Sequence, residues 1–300
     1  MVKLVLNPMN CLQVYEHYSF KPELNARIFS QFLICENDTS SKKFVQSLTK
    51  FKNLEWLSLN FSAKLQLEDA LIDGYYDDIS FDINNLEIII YNQNMQESFE
   101  FETFKIFELI QDCKQIQLLT INLYCCQIGD EGMNHLSQIL HLPSLKGLEL
   151  KLQGNQFQDK SFLSLQQLLF QHSNLSYINL RLGYNTLQSK MVENLIEILK
   201  GLHKLEKLVL FMSHCMIQNQ GVQILLEQLA KMKQLRHLVL DLERNNLRQE
   251  EEDSIIKIFR TLNQLNSFNL NLSMNHLQIS QTKINNQIRK IPHLVTYNQI

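Results

Sequence analysis

Residues 145–157 read LKGLELKLQGNQF, and residues 175–187 read LSYINLRLGYNTL, the same phrase written again thirty residues later. With the opening leucine as anchor, the phrase starts at Leu54, Leu86, Ile116, Leu145, Leu175, Leu205, Leu235, Leu265 and Leu294, in steps of 29 to 32 residues. Self-similarity at a fixed period of this size marks a repeat architecture. Three, five and seven residues after the anchor the chain is apolar: Leu148, Leu150 and Leu152, then Ile178, Leu180 and Leu182, then Leu208, Leu210 and Met212. Leu238, Leu240 and Leu242 follow, then Phe268, Leu270 and Leu272. Alternation with a period of two predicts a half-buried strand. Ten residues after the anchor stand Asn155, Asn185, Asn245 and Asn275, with Cys126 and Cys215 in the same slot. Two residues further on comes an apolar side chain: Ile128, Phe157, Leu187, Ile217, Leu247 or Leu277.

The second half of each phrase changes period. Met133, Leu136, Ile139 and Leu140 recur at helical spacing, as do Val192, Leu195, Ile198 and Leu199, and Val222, Leu225 and Leu229. Gly132 and Gly221 stand just before these segments, where a tight entry turn is expected.

The strand half resembles the leucine-rich repeat, L-x-x-L-x-L-x-x-N/C-x-L, with one extra L-x step. The resemblance spans residues 54–300 and is most specific from 116 onward. A thirty-residue unit with a true helix resembles the ribonuclease-inhibitor-like subclass. That resemblance implies an α/β solenoid, a horseshoe with a parallel concave β-sheet and convex α-helices. Stacked turns leave backbone groups that a buried amide, or less fully a thiol, satisfies. Cys126 and Cys215 are therefore expected to be structural.

The pattern frays toward the start. Between Leu54 and Leu86 lies the acidic, aromatic stretch LQLEDALIDGYYDDISFD (65–82), expected to be a loop or a distorted helix. Its Asp73, Asp77, Asp78 and Asp82 lack the spacing of an EF-hand loop. The Leu86 unit keeps a strand but loses the clean Asn position. Within residues 1–50, PELNARIFSQFL (22–33) reads as a helix with Leu24, Ile28 and Phe32 on one face. It resembles the opening of an F-box, though one residue short and without the rest of that motif. The expected layout is an N-terminal helical cap or partner-binding segment over 1–50 and a repeat domain over 51–300. Units at 54–115 are irregular and those at 116–300 regular. After Leu294 comes one more strand with an uncharged edge, VTYNQI, which is expected to be covered by a partner in the native assembly, or by a second copy when the protein is isolated.

Composition narrows the function. The net charge is −3, with no global basic signature for nucleic acid. It divides unevenly: residues 1–110 hold 16 acidic and 9 basic side chains, and 111–300 hold 15 and 19. Asparagine and glutamine are abundant but spread through periodic segments rather than gathered in a tract. Six cysteines (11, 35, 113, 125, 126 and 215) form no CxxC pair, which fits a reduced, intracellular setting, cytoplasmic or cytoskeleton-associated. The start is too briefly apolar for a signal peptide, and no run reaches the ~18 residues of a membrane helix.

No nucleotide-binding, metalloprotease or serine-hydrolase motif occurs. Neither catalytic, cofactor-binding nor metal-ligating residues are expected, and no small-molecule substrate. His214 beside Cys215 is the one close Cys–His neighbour pair, and the ladder slot turns its thiol inward. Arg181 and Arg244 are the charges a small-GTPase activator could use, a role some ribonuclease-inhibitor-like proteins have.

What remains is the surface of the sheet. Positions +2, +4 and +6 of each strand point away from the core. In the middle units they gather Tyr177, Arg181, Lys207, Val209, Phe211, His237, Val239 and Asp241. Aromatic and arginine side chains among aliphatics are the composition of interface hot spots. The expected function is a non-catalytic scaffold or adaptor, a subunit of a multi-subunit protein complex. The alternatives are an F-box-like ubiquitin-ligase adaptor and a small-GTPase activator.

Overall fold

The computed structural model describes residues 2–6, 26–31, 54–62, 85–91, 115–185, 188–248, 261–277 and 296–299. The strands are β1 (Val2–Leu6), β2 (Ala26–Gln31), β3 (Leu54–Ser62), β4 (Asn85–Tyr91), β5 (Leu118–Asn122), β6 (Gly147–Lys151), β7 (Tyr177–Arg181), β8 (Lys207–Phe211), β9 (His237–Asp241), β10 (Ser267–Asn271) and β11 (Thr296–Gln299). Four helices are described: α1 (Gly129–Ile139), α2 (Asp159–Gln171), α3 (Gln188–Gly201) and α4 (Gln218–Lys231). All eleven strands form one parallel sheet in chain order.

From β5 to β11 the repeat positions pair in register. Leu118, Gly147, Tyr177, Lys207, His237, Ser267 and Thr296 form a single row across the sheet. The apolar alternation fixes this register, since a slip of one residue would turn every core side chain outward. Leu148, Leu150, Ile178, Leu180, Leu208 and Leu210 are all buried, together with the Met133, Leu136, Val192, Leu195, Val222 and Leu225 faces of α1, α3 and α4. Strands stack about 4.8 Å apart and helices need roughly 8–10 Å, so the stack bends with the sheet on its inner side.

The early units differ from the sequence reading in two respects. Leu57 pairs with Leu86, and Leu86 with Leu119, so Leu86 occupies the +3 slot. The anchor of that unit is position 83, three residues earlier than expected. Ile88 consequently lies in the core rather than on the open face, and both Leu86 and Ile88 are fully buried. Three consecutive isoleucines (88–90) satisfy either register by hydrophobicity alone, and strand pairing decides between them. Second, residues 26–31 form strand β2, paired with β1 and β3, and not the helix read over 22–33. Pairing with a strand on either side supplies the backbone hydrogen bonds that overrule local helical spacing. Both strands within 1–50 belong to the same sheet as the regular repeats. The acidic stretch 65–82 lies outside the described residues, as does Leu187.

Among the described residues, the turns after β5 to β10 are held by the Asn or Cys slot. The Asn155 and Phe157 amides donate to Asn185 Oδ1 at 2.9 and 3.2 Å. The Asn185 Nδ2 donates to the carbonyls of Leu152 and Leu182 at 3.0 and 2.9 Å. Asn245 repeats this against Cys215 and Ile217, and Asn275 against Asn245 and Leu247. Cys215 sits in the slot as a buried thiol whose Sγ faces the Leu182 and Ser213 carbonyls at 3.5 and 3.4 Å. These bonds hold the preceding residue in the left-handed region, with φ of 53° at Cys125, 58° at Tyr184, 56° at His214, 52° at Arg244 and 58° at Met274. Apart from Gly154 (φ 68°) in the β6 turn, the described turns reach this region at that position without glycine. Gly132 and Gly221, expected there, lie inside α1 and α4 and are buried.

Candidate protein-binding surface

Of the eight residues expected on the open face of the sheet, the structure leaves six at least partly exposed. Lys207 and His237 are exposed, and Tyr177, Arg181, Phe211 and Val239 are half-buried. Val209 and Asp241 are each only 7% exposed, so the outward alternation does not leave them open. Val209 stands in the +4 row, between the Tyr177–Lys207 contact at +2 and the Arg181–Phe211 contact at +6. Asp241 is drawn down by hydrogen bonds: its Oδ1 accepts from Asn271 Nδ2 and from the Glu243 amide, both at 3.0 Å. Burial raises the Asp241 pKa above the usual carboxylate value.

Two cation–π contacts cross the β7–β8 pair in opposite directions. At +2 the Lys207 Nζ stands 4.5 Å from the centroid of the Tyr177 ring. At +6 the Arg181 Cζ stands 4.5 Å from the centroid of the Phe211 ring. Directly opposed side chains on adjacent strands lie about 5 Å apart at Cβ, which lets each cation reach its ring. The Tyr177 hydroxyl donates to Glu149 Oε1 at 2.5 Å. Burial, and then this carboxylate, push the phenol pKa well above its ordinary value, so Tyr177 remains a neutral donor.

Gly147 makes room for that arrangement. A Cβ there would lie 2.7 Å from Leu118 Cδ1 and 3.2 Å from Tyr177 Cδ1. Neither Gly147 nor Glu149 figures among the sequence-derived candidates. Their signal was their place in the +2 and +4 columns beside Tyr177.

No protein-family model matches the chain, and no curated protein matches it. Solved structures do. A chain of the crystal structure of the Rad7 and Elc1 complex in yeast aligns with 99% of this chain and 68% of its own length, at 16% identity and a TM-score of 0.57. The tropomodulin C-terminal domain from Caenorhabditis elegans aligns with 54% of this chain and 90% of its own, at 10% identity and a TM-score of 0.40. A chain of the TLR13–ssRNA13 complex aligns with 99% of this chain and 44% of its own, at 14% identity and a TM-score of 0.32.

The fold is a leucine-rich-repeat solenoid.

The outer turns of the leucine-rich repeats carry a second row that sequence reasoning missed. Tyr184 stacks on His214 with ring centroids 4.3 Å apart, and Arg244 Nη1 lies 3.3 Å from His214 Nε2. All three occupy the slot before the ladder residue, and Tyr184 is 60% exposed. The signal was the column nine residues after the anchor. His214 thus faces outward while Cys215 is buried, where burial pushes its thiol pKa up to about 12. Arg181 lies on the sheet and Arg244 on these turns, so the two candidate arginines occupy different surfaces.

A polar groove of about 790 Å³ runs along the other lip of the sheet, lined by residues such as Gln117, Lys146, Asn174, Lys204 and Glu206. Among the described residues no group of three or more His, Cys, Asp or Glu could hold a metal ion. No described helix is long and apolar enough to cross a membrane.

Proposed function

We propose that this chain is a non-catalytic interaction scaffold of the ribonuclease-inhibitor-like repeat type, a subunit of a larger protein assembly that grips its partner with the inner face of the sheet. The observation that carries this reading is the crossed pair Tyr177–Lys207 and Arg181–Phe211. It presents two aromatic rings and two cations, pre-ordered by neighbouring strands, on a face that no described helix covers. Pre-ordered aromatic and arginine side chains lose little entropy on binding and dominate interface energetics. Repeats of about thirty residues with helices of 11 to 14 residues support the subclass.

The F-box-like adaptor loses its ground, since the segment that carried the resemblance contains strand β2. The buried thiol of Cys215 supports a reducing, intracellular location.

The reading is tested by affinity purification of wild type beside a Tyr177→Ala, Phe211→Ala variant. Proteins captured by wild type are expected to be lost, with circular dichroism unchanged. Retention at wild-type yield would move the contact away from the sheet.

A further inference from the structure

The β7–β8 face holds charges and polar atoms that the folded chain leaves unanswered. Neither Arg181 nor Lys207 forms an ion pair among the described residues. Lys151, the other cation nearby, is paired with Glu87 at 3.8 Å. Glu149 is engaged by the Tyr177 hydroxyl, and Asp241 Oδ1 by Asn271 and the Glu243 amide. Arg181 Nε is a buried donor with no partner. Between the two cation–π contacts lies Asn179, 5% exposed, whose Oδ1 is a buried acceptor with no partner. Buried polar atoms without partners are costly, and two together just beneath the side chains of the open face call for an explanation outside the chain.

We propose that this face takes an acidic, extended segment of a protein partner, seating one carboxylate against Arg181, a second against Lys207 four residues along the strands, and an N–H donor on Asn179 Oδ1 between them. The proposal rests on the sheet being the protein-binding face. Arginine supplies the fork that a carboxylate fits, and its stacking on Phe211 fixes the orientation of that fork. An extended chain alternates side chains and offers backbone N–H groups, which matches an acceptor set between two cations. Nucleic acid is the poorer match. A phosphate backbone is held by many cations at once, and here two cations stand beside Glu149 and Asp241.

Three labelled probes are titrated against the full chain by fluorescence anisotropy: a ten-residue peptide alternating Glu and Ser, its Gln–Ser counterpart, and a ten-nucleotide oligothymidine. The Glu peptide is expected to bind about tenfold or more tighter than the Gln peptide at low salt. Arg181→Gln is expected to weaken it about tenfold, and Arg181→Lys to recover part of that loss. Asn179→Leu is expected to weaken binding severalfold while melting no lower than wild type, because it removes an unanswered buried acceptor. A purely structural Asn179 would melt lower and bind equally well, which overturns the proposal. So does the absence of saturable Glu-peptide binding up to millimolar concentration, or tighter binding of oligothymidine. Any of these leaves the Tyr177, Phe211 test standing. Conversely, Glu-peptide binding that needs Arg181 alongside partners still captured by the double variant would uphold the acidic site and refute the sheet as the assembly contact.

Discussion

Arg181 and Phe211, on adjacent strands, are locked face to cation: the guanidinium carbon stands 4.5 Å from the ring centroid. Such a contact is worth about 0.5–1 kcal/mol when partly exposed. Arg181→Ala loses it but also removes the unanswered buried Nε, so the single variant is expected to shift stability by under about 0.5 kcal/mol. The contact shows only in a double-mutant cycle with Phe211→Ala, where a coupling of about 0.5–1 kcal/mol is expected. Strict additivity in urea unfolding would mean the ring and the guanidinium are neighbours without being partners.

Asn185 is expected to be far costlier. Asn185→Leu strands the Asn155 and Phe157 amides and two carbonyls inside the turn stack. A loss of at least about 2 kcal/mol follows from unmet buried groups. Cys215→Asn runs the other way. The slot already offers the Leu182 and Ser213 carbonyls to the thiol, and an amide also brings a stronger acceptor. A gain of up to about 1 kcal/mol is expected. Chemical denaturation of the two variants checks both, and a Cys215→Asn variant less stable than wild type would show that the slot is shaped for sulfur.

The ladder was legible because it repeats: Asn155, Asn185 and Asn245 stand thirty residues or a multiple apart and each meets the same backbone groups. The strand register from β5 onward was legible for the same reason. At β4 periodicity alone did not decide, since Leu86 and Ile88–Ile90 suit two registers, and pairing with Leu57 and Leu119 chose between them. At β2 a helical spacing of Leu24, Ile28 and Phe32 was outweighed by strand neighbours on both sides. The face columns placed Tyr177, Lys207, Arg181 and Phe211 correctly side by side. They could not show that Val209 and Asp241 are covered, because that depends on which contacts flank a residue across the strands and where hydrogen bonds pull.

His172 ties pH to stability. The ring is buried, with Nδ1 2.7 Å from the Leu168 carbonyl and Nε2 accepting the Leu142 amide at 3.1 Å. Only the neutral tautomer with its proton on Nδ1 serves both. Burial lowers its pKa from 6.5. The unfolded chain therefore takes up this proton first as pH falls. The histidine's contribution is intact above about 6.5 and is lost progressively below it, down to the folded pKa. His172→Gln removes this titration. The difference in unfolding free energy between wild type and variant is expected to change by up to about 1.4 kcal/mol per pH unit below 6.5. Parallel pH profiles for the two proteins would rule out His172 as the source.

Gly147 offers a way to move Tyr177 without touching it. A Cβ at 147 would crowd Leu118 Cδ1 at 2.7 Å and the Tyr177 ring at 3.2 Å. The leucine contact is the end of a flexible side chain and can yield. The ring must shift by a few tenths of an ångström, against Glu149 and Lys207, which hold it from either side. Gly147 is not in the left-handed region, so alanine suits its backbone and restricts the unfolded chain, which favours folding by about 0.4–1 kcal/mol. That offsets the lost tyrosine contacts, and Gly147→Ala is expected to melt close to wild type. Partner capture should nevertheless fall toward the level of Tyr177→Ala. Placed in a Tyr177→Ala background, Gly147→Ala should have no further effect on capture, because the ring it displaces is gone. An equal loss in both backgrounds would show that residue 147 itself meets the partner and that the tyrosine is not the route.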